Sequence, residues 1–229
     1  KKFFSDRTHI LENIKIKNKY LSKNLKLNIL KEENPKSDFL LKTKMKHASI
    51  NSKEIKKNDI FFAIKGKNKD GNLFVKDAFK RGASLAIVEK INKKEKKNKQ
   101  IKVENTLDFL TKTSSKIRDN ALGKIIAITG SCGKTSLKNL LGYSFKKFSR
   151  ARFSPKSFNN KFGVPISLFN LDIKDEFGIF EIGMDKKGEI DNLSKIIKPD
   201  VGVITNISYA HAKNFKNIKE IALAKGEII

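Results

Sequence analysis

Short apolar runs and a helical stripe alternate over residues 49–103. Ile60-Phe61-Phe62-Ala63-Ile64 is apolar throughout and is bounded by Asn58-Asp59 and Lys65-Gly66, which predicts a buried strand. Across 74–81, Phe74, Ala78 and Phe79 recur at helical spacing, and Gly82 stands where a left-handed cap belongs. Ser84-Leu85-Ala86-Ile87-Val88 predicts a second strand and Ile101-Lys102-Val103 a third. Between these two strands lies a charged stretch with Lys93, Lys94, Lys96, Lys97 and Lys99. Its physical reading is a solvated loop and its functional alternative an anion site. Residues 107–120 have the composition of a connecting helix, and the domain boundary is placed at its end, giving 1–120 and 121–229. The first forty residues are rich in Lys and Asn, with scattered Leu and Ile, and predict no definite element.

From Lys124 the order becomes strand, glycine loop, helix, strand, helix. Residues 125–129 form an apolar run of the kind buried on both faces of a parallel sheet. Leu137, Leu140, Leu141, Phe145 and Phe148 read as one helical stripe after the loop. Residues 177–182 and 201–205 supply two more strands, with a helical pattern over 189–197 between them. The alternation predicts an α/β fold whose second half is doubly wound.

Composition narrows the field. The chain has 229 residues, enough for two domains, and 38% of them are hydrophobic. No apolar run approaches the ~20 residues that cross a bilayer, so membrane insertion is not expected. Lys1-Lys2-Phe3-Phe4-Ser5-Asp6 is not a secretory signal and lacks an initiator Met, so the true start is expected to lie upstream. One Cys forms no internal disulfide, which fits a cytoplasmic protein. The net charge of +26 suggests nucleic acid, but only five of the 50 basic residues are Arg, and the lysines are dispersed. Specific nucleic-acid binding is therefore not expected, and weak adhesion to anions is.

Candidate chemistry centres on Thr129-Gly130-Ser131-Cys132-Gly133-Lys134-Thr135-Ser136, between a buried strand and an amphipathic helix. Glycines let successive N–H groups converge on phosphate, and the helix N-terminus adds a positive dipole. Lys134 would reach the β- and γ-phosphates of ATP, and the Thr135 hydroxyl would bind Mg²⁺. The usual eight-residue pattern has Gly where this chain has Ile128, so the loop is a compact variant, and an ordinary glycine turn is the alternative. Cys132 occupies a variable slot and has no nearby His to make it a nucleophile. Glu181 closes a strand at the carboxyl edge of the sheet, where a carboxylate suits Mg²⁺; a surface Glu is the alternative. His211 follows the next strand on the same edge, as a second metal site or as a structural histidine.

Further motifs follow the loop in order. They are Phe158-Asn159-Asn160-Lys161-Phe162-Gly163-Val164-Pro165; Phe180-Glu181-Ile182-Gly183-Met184 with Gly188-Glu189-Ile190; Thr205-Asn206-Ile207-Ser208-Tyr209-Ala210-His211; and Ala224-Lys225-Gly226-Glu227-Ile228. The set resembles the Mur ligase family, and most closely its branch that adds D-alanyl-D-alanine to UDP-N-acetylmuramoyl-tripeptide. The resemblance implies an N-terminal nucleotide-sugar-binding domain and a truncated phosphate-loop ATPase domain. It also implies a carbamylated Lys225 that binds metal, and active-site contacts for Asn159 and Asn160, which are otherwise turn residues. Ser49-Ile50-Asn51-Ser52-Lys53 stands where the family has Asp-Ser-Arg, and Asp70-Gly71-Asn72 where it has Asp-Gly-His. Ser52, Lys53, Lys65, Gly66, Asp70 and Gly71 are the implied sugar-nucleotide contacts, with a plain Ser/Asn turn as the alternative at Asn51 and Ser52. The implied enzyme is a cytoplasmic monomer using ATP and Mg²⁺, and this chain, as its front portion, is expected to be inactive alone. The alternatives are a family member adding diaminopimelate or lysine, or a basic nucleotide-binding module acting on nucleic acid.

Overall fold

The computed structural model describes residues 25–35, 40, 43–209 and 214–229; His211 lies outside them. It begins with helix α1 (Leu25–Glu33), which buries Leu27, Ile29 and Leu30 and was not foreseen from sequence. That spacing fits a strand as well as a helix, so periodicity alone does not identify it. Glu33 ties α1 to the connecting helix through Lys112 and Lys116, each at 2.7 Å.

Strands β1 (Ala48–Ser49), β2 (Ile60–Phe62), β3 (Leu85–Val88) and β4 (Gln100–Lys102) form a parallel sheet in that order. Helix α2 (Val75–Lys80) covers one face, and Gly82 adopts φ +100° just past its end, as the cap position requires. The lysine-rich stretch is a loop with one 3₁₀ turn (Lys97–Lys99). Helix α3 (Thr106–Asp119) follows, with Asn105 Oδ1 accepting from the Leu107 and Asp108 amides.

The second sheet comprises β5 (Lys124–Thr129), β6 (Ala151–Phe153), β7 (Phe177–Glu181) and β8 (Val201–Ile204), parallel and ordered β6-β7-β5-β8. The connections run through α4 (Lys134–Phe145), α5 (Gly163–Phe169) and α6 (Glu189–Ile197), and α7 (Ile218–Gly226) follows β8. Chain order leaves β5 with β7 on one side and β8 on the other. Its carboxyl end is thus the crevice where doubly wound sheets bind ligands.

Side chains alternate across this sheet. Ile126, Ile128 and Ile179 pack under Leu137, Leu141 and Phe145 of α4, while Ile125, Ala127, Phe180 and Ile182 face the other side. The predicted α4 stripe is narrower than expected, because Leu140 is 64% and Phe148 71% exposed. Residues 137, 141 and 145 are four apart and share one row, whereas Phe148 lies past the helix end and tilts onto Phe145.

One apolar cluster runs through both sheets, with Phe62 edge-on to Phe169 at 5.0 Å. Asn170, the C-cap of α5, clips the two halves together: its Oδ1 accepts from Ala48 N at 2.7 Å and its Nδ2 donates to Ala48 O at 2.8 Å. Ser114 Oγ of α3 donates to the Pro165 carbonyl at 2.8 Å, and Arg118 Nε to the Ile197 carbonyl at 2.7 Å. Among the described residues no helix is long and apolar enough to cross a membrane.

Candidate active site

The phosphate loop turns off the end of β5 through Gly130 (φ +144°) and Gly133 (φ +82°). A Cβ on Gly130 would lie 1.9 Å from Thr205 Oγ1, so only glycine fits there. Helix α4 starts at Lys134 with no side-chain cap among the described residues, so its first-turn amides are placed to meet an anion. Lys134 Nζ donates back to the Gly130 carbonyl at 2.6 Å and so lies over the loop.

The segment after β8 clasps this loop. Ser131 N donates to the Asn206 carbonyl and Cys132 N to Asn206 Oδ1, both at 3.0 Å. Thr205 Oγ1 donates to the Cys132 carbonyl at 2.5 Å, and Ser208 N donates to Ser131 Oγ at 2.9 Å. The Ser131 and Cys132 amides of the loop are thus committed to Asn206. Thr205, Asn206 and Ser208 belong to a motif noticed in the sequence, but their scaffolding of the loop was not foreseen.

Glu181 ends β7 beside Ile128 and lies on the α4 face, in step with Ile179. It is fully buried, against the surface alternative, and neither carboxylate oxygen accepts a hydrogen bond from a described residue. Lys138 Nζ stands 3.4 Å from Oε2. A buried carboxylate without hydrogen bonds is rare, and this one suits an oxygen-seeking cation. Thr135, one residue into α4, has Oγ1 3.5 Å from Ser157 Oγ.

Lys225 sits on α7, 1% exposed, beside core residues Ile221 and Ala224. Burial, and then the charge of Lys134, bring its amine down to about 8. The amine thus keeps a larger free-base fraction near neutral pH than an ordinary lysine. Among the described residues no three His, Cys, Asp or Glu side chains cluster as a metal site.

A cleft of about 660 Å³ opens beside Lys134, between α3 and α6, lined by Asn159, Lys161, Gly183, Met184 and Leu193 among others. Asn159 packs its side chain against Gly183 and accepts the Gly183 amide on its carbonyl at 2.7 Å. Asn160 turns its Oδ1 to the Phe162 and Gly163 amides, both at 3.0 Å, in a local turn just ahead of α5.

The implied sugar-nucleotide residues fall at the carboxyl ends of β1 and β2. Asn51 caps the 3₁₀ turn Ser52–Glu54, Ser52 is buried and Lys53 exposed. Lys65 bridges to Asp70, and Gly71 N donates to the Ile64 carbonyl at 3.0 Å. Asp70 accepts from Asn72 N and Nδ2 at 2.9 and 2.7 Å, which holds its carboxyl below the usual range. Glu54 pairs with Lys156 at 2.7 Å, linking this edge to the turn beside Thr135.

Known proteins resemble this chain in sequence and in fold. Residues 128–229 match the model described as the Mur ligase middle domain, and residues 44–118 that of the Mur ligase family, catalytic domain. The UDP-N-acetylmuramoyl-tripeptide--D-alanyl-D-alanine ligase of Rickettsia prowazekii is 43% identical over 183 residues, covering 78% of this chain and 40% of that protein. Crystal structures of MurF from Acinetobacter baumannii (TM-score 0.68, 34% identity) and of MurF ligase from Thermotoga maritima in complex with ADP (TM-score 0.67, 32% identity) superpose on 80% and 81% of this chain. They do so over 40% and 43% of their own lengths. The chain spans about two-fifths of the length of the curated relatives it matches. With both domain models matched, in order, and solved MurF structures superposing on four-fifths of the fold, the chain belongs to the Mur ligase family.

Proposed function

We propose that the chain supplies the nucleotide-handling and sugar-nucleotide-binding portion of an ATP-dependent ligase that joins D-alanyl-D-alanine to UDP-N-acetylmuramoyl-tripeptide in the cytoplasm. Residues 1–120 take the sugar nucleotide and 121–229 take ATP. The observation that carries the reading is the juxtaposition of Lys134 with a helix start that no described side chain caps and a buried carboxylate, Glu181, that accepts no hydrogen bond from a described residue. The ADP held by the Thermotoga maritima relative is consistent with ATP as the nucleotide.

A carboxylate of the acceptor attacks the γ-phosphate to give an acyl phosphate and ADP; the dipeptide amine then attacks the activated carbonyl and phosphate leaves. Lys134 and the open amides of α4 draw charge toward the leaving ADP. Thr135 and Glu181 would hold one Mg²⁺, and His211 with carbamylated Lys225 a second. Mg²⁺, when bound, neutralises phosphate charge. The lowered pKa of Lys225 supports that modification, since carbamate forms on the free amine. Asn159 and Lys161 line the cleft beside Lys134, the position for an acceptor carboxylate.

The test is phosphate release from ATP by the complete reading frame containing this chain, given UDP-N-acetylmuramoyl-tripeptide. Release should require D-alanyl-D-alanine and fall at least ~100-fold in Lys134→Ala. Release that instead requires a single diamino acid and the shorter acceptor would move the assignment to another member of the family. Full turnover by Lys134→Ala would refute the site itself.

A further inference from the structure

One buried group at this edge has no part in the chemistry above. Lys138 lies one turn beyond Lys134 on α4, so the two lysines share a helix face. Its side chain is fully buried, which lysine rarely is without a paired charge. Nζ donates to the Lys156 carbonyl and stands within ion-pair distance, 3.4 Å, of Glu181 Oε2. Lys156 belongs to the turn after β6 that also carries Ser157, whose hydroxyl faces Thr135 at 3.5 Å. A single ammonium therefore touches the strand-end carboxylate and the turn opposite the phosphate-loop threonine.

We propose that Lys138 is a positioning residue for the cation site: it anchors Glu181 by one oxygen and holds the Ser157 turn against Thr135. The proposal rests on the reading of Thr135 and Glu181 as cation ligands. An ammonium has three donors and no lone pair, so it orients a carboxylate without competing as a ligand. With Oε2 facing Lys138, Oε1 is left without a partner among the described residues. The carbonyl of Lys156 fixes the ammonium from the other side, so α4, β7 and the β6 turn keep one spacing. Groups that orient ligands in this way typically govern metal affinity more than nucleotide affinity.

The experiment measures ADP binding to this chain by calorimetry, with and without Mg²⁺, alongside thermal melts. Lys138→Met should weaken the Mg²⁺-dependent part of ADP binding by ~10–100-fold and leave metal-free ADP binding unchanged; Lys138→Arg should restore most of the loss. A purely architectural role would weaken both kinds of binding together and would overturn the proposal, as would a folded Lys138→Met with wild-type Mg²⁺ dependence. The melts need no ligand. Lys138→Met leaves a buried carboxylate without its counter-charge, so adding Glu181→Gln should raise the melting temperature above that of Lys138→Met alone. If the double variant is no more stable, or neither variant folds, the pairing is not what Lys138 provides and the proposal falls. A wild-type chain whose ADP binding ignores Mg²⁺ would instead refute the reading of Thr135 and Glu181.

Discussion

In the sequence Lys225 is one lysine among many, and only the resemblance of its motif singled it out. The fold gives it a physical distinction, because burial and the charge of Lys134 lower its amine to about 8 from an ordinary 10.5. Between those values the folded amine binds fewer protons than the unfolded one. Its contribution to stability therefore grows as pH rises through that window and is lost as pH falls through about 8. The same shift governs carbamylation, which needs the free base. With ¹³C-labelled bicarbonate, wild-type chain is expected to show a carbamate resonance that strengthens as pH rises toward 8, absent from Lys225→Arg; identical spectra for the two would refute it. Other residues were legible only in part. Glu181 could be placed at a strand end from its apolar neighbours, but its burial depends on α4 lying over that face of β7. Lys138 had no signal of its own in a chain this rich in lysine. The hold of Asn206 on Ser131 and Cys132 joins segments more than 70 residues apart, beyond the reach of local pattern.

Elements with a clear period were read well. Helix α6 buries Ile190, Leu193 and Ile197 on one side, and its bounds match the pattern at 189–197. Strands β5 and β7 stood out as apolar runs. Helix α5 did not, because all seven of its residues are buried and a helix buried all round has no stripe. Its Gly-Val-Pro start also reads as a turn, although proline is tolerated in the first turn of a helix. Strand β6, three residues with Arg152 at its centre, is too short to show an alternation. Helix α5 carries the clip between the halves of the molecule, since Asn170 meets both backbone groups of Ala48. Asn170→Ala removes two hydrogen bonds and strands a peptide N–H and C=O on β1. The expected loss is about 1–3 kcal/mol, seen as a lower urea midpoint with an unchanged slope. Wild-type stability in that variant would mean the clip is replaced by water at no cost.

Across the whole molecule, the alternation of strands and helices was enough to predict an α/β fold, but not how the halves meet. That depends on apolar side chains from both sheets entering one cluster and on α3 lying between them. The joint brings the Ser52–Glu54 turn of the first sheet to the Lys156 turn of the second, so the proposed sugar-nucleotide edge adjoins the phosphate loop. The central claim is that an acceptor carboxylate reaches ATP at this junction and leaves as an amide. It is tested most directly by labelling that carboxylate with ¹⁸O and analysing the phosphate released by the complete reading frame in the presence of D-alanyl-D-alanine. Attack of the carboxylate on the γ-phosphate, followed by amine attack on carbon, predicts one ¹⁸O atom in each phosphate and its loss from the amide product. Phosphate free of label would mean that water, not the carboxylate, took the γ-phosphoryl group, and the ligase account would fail.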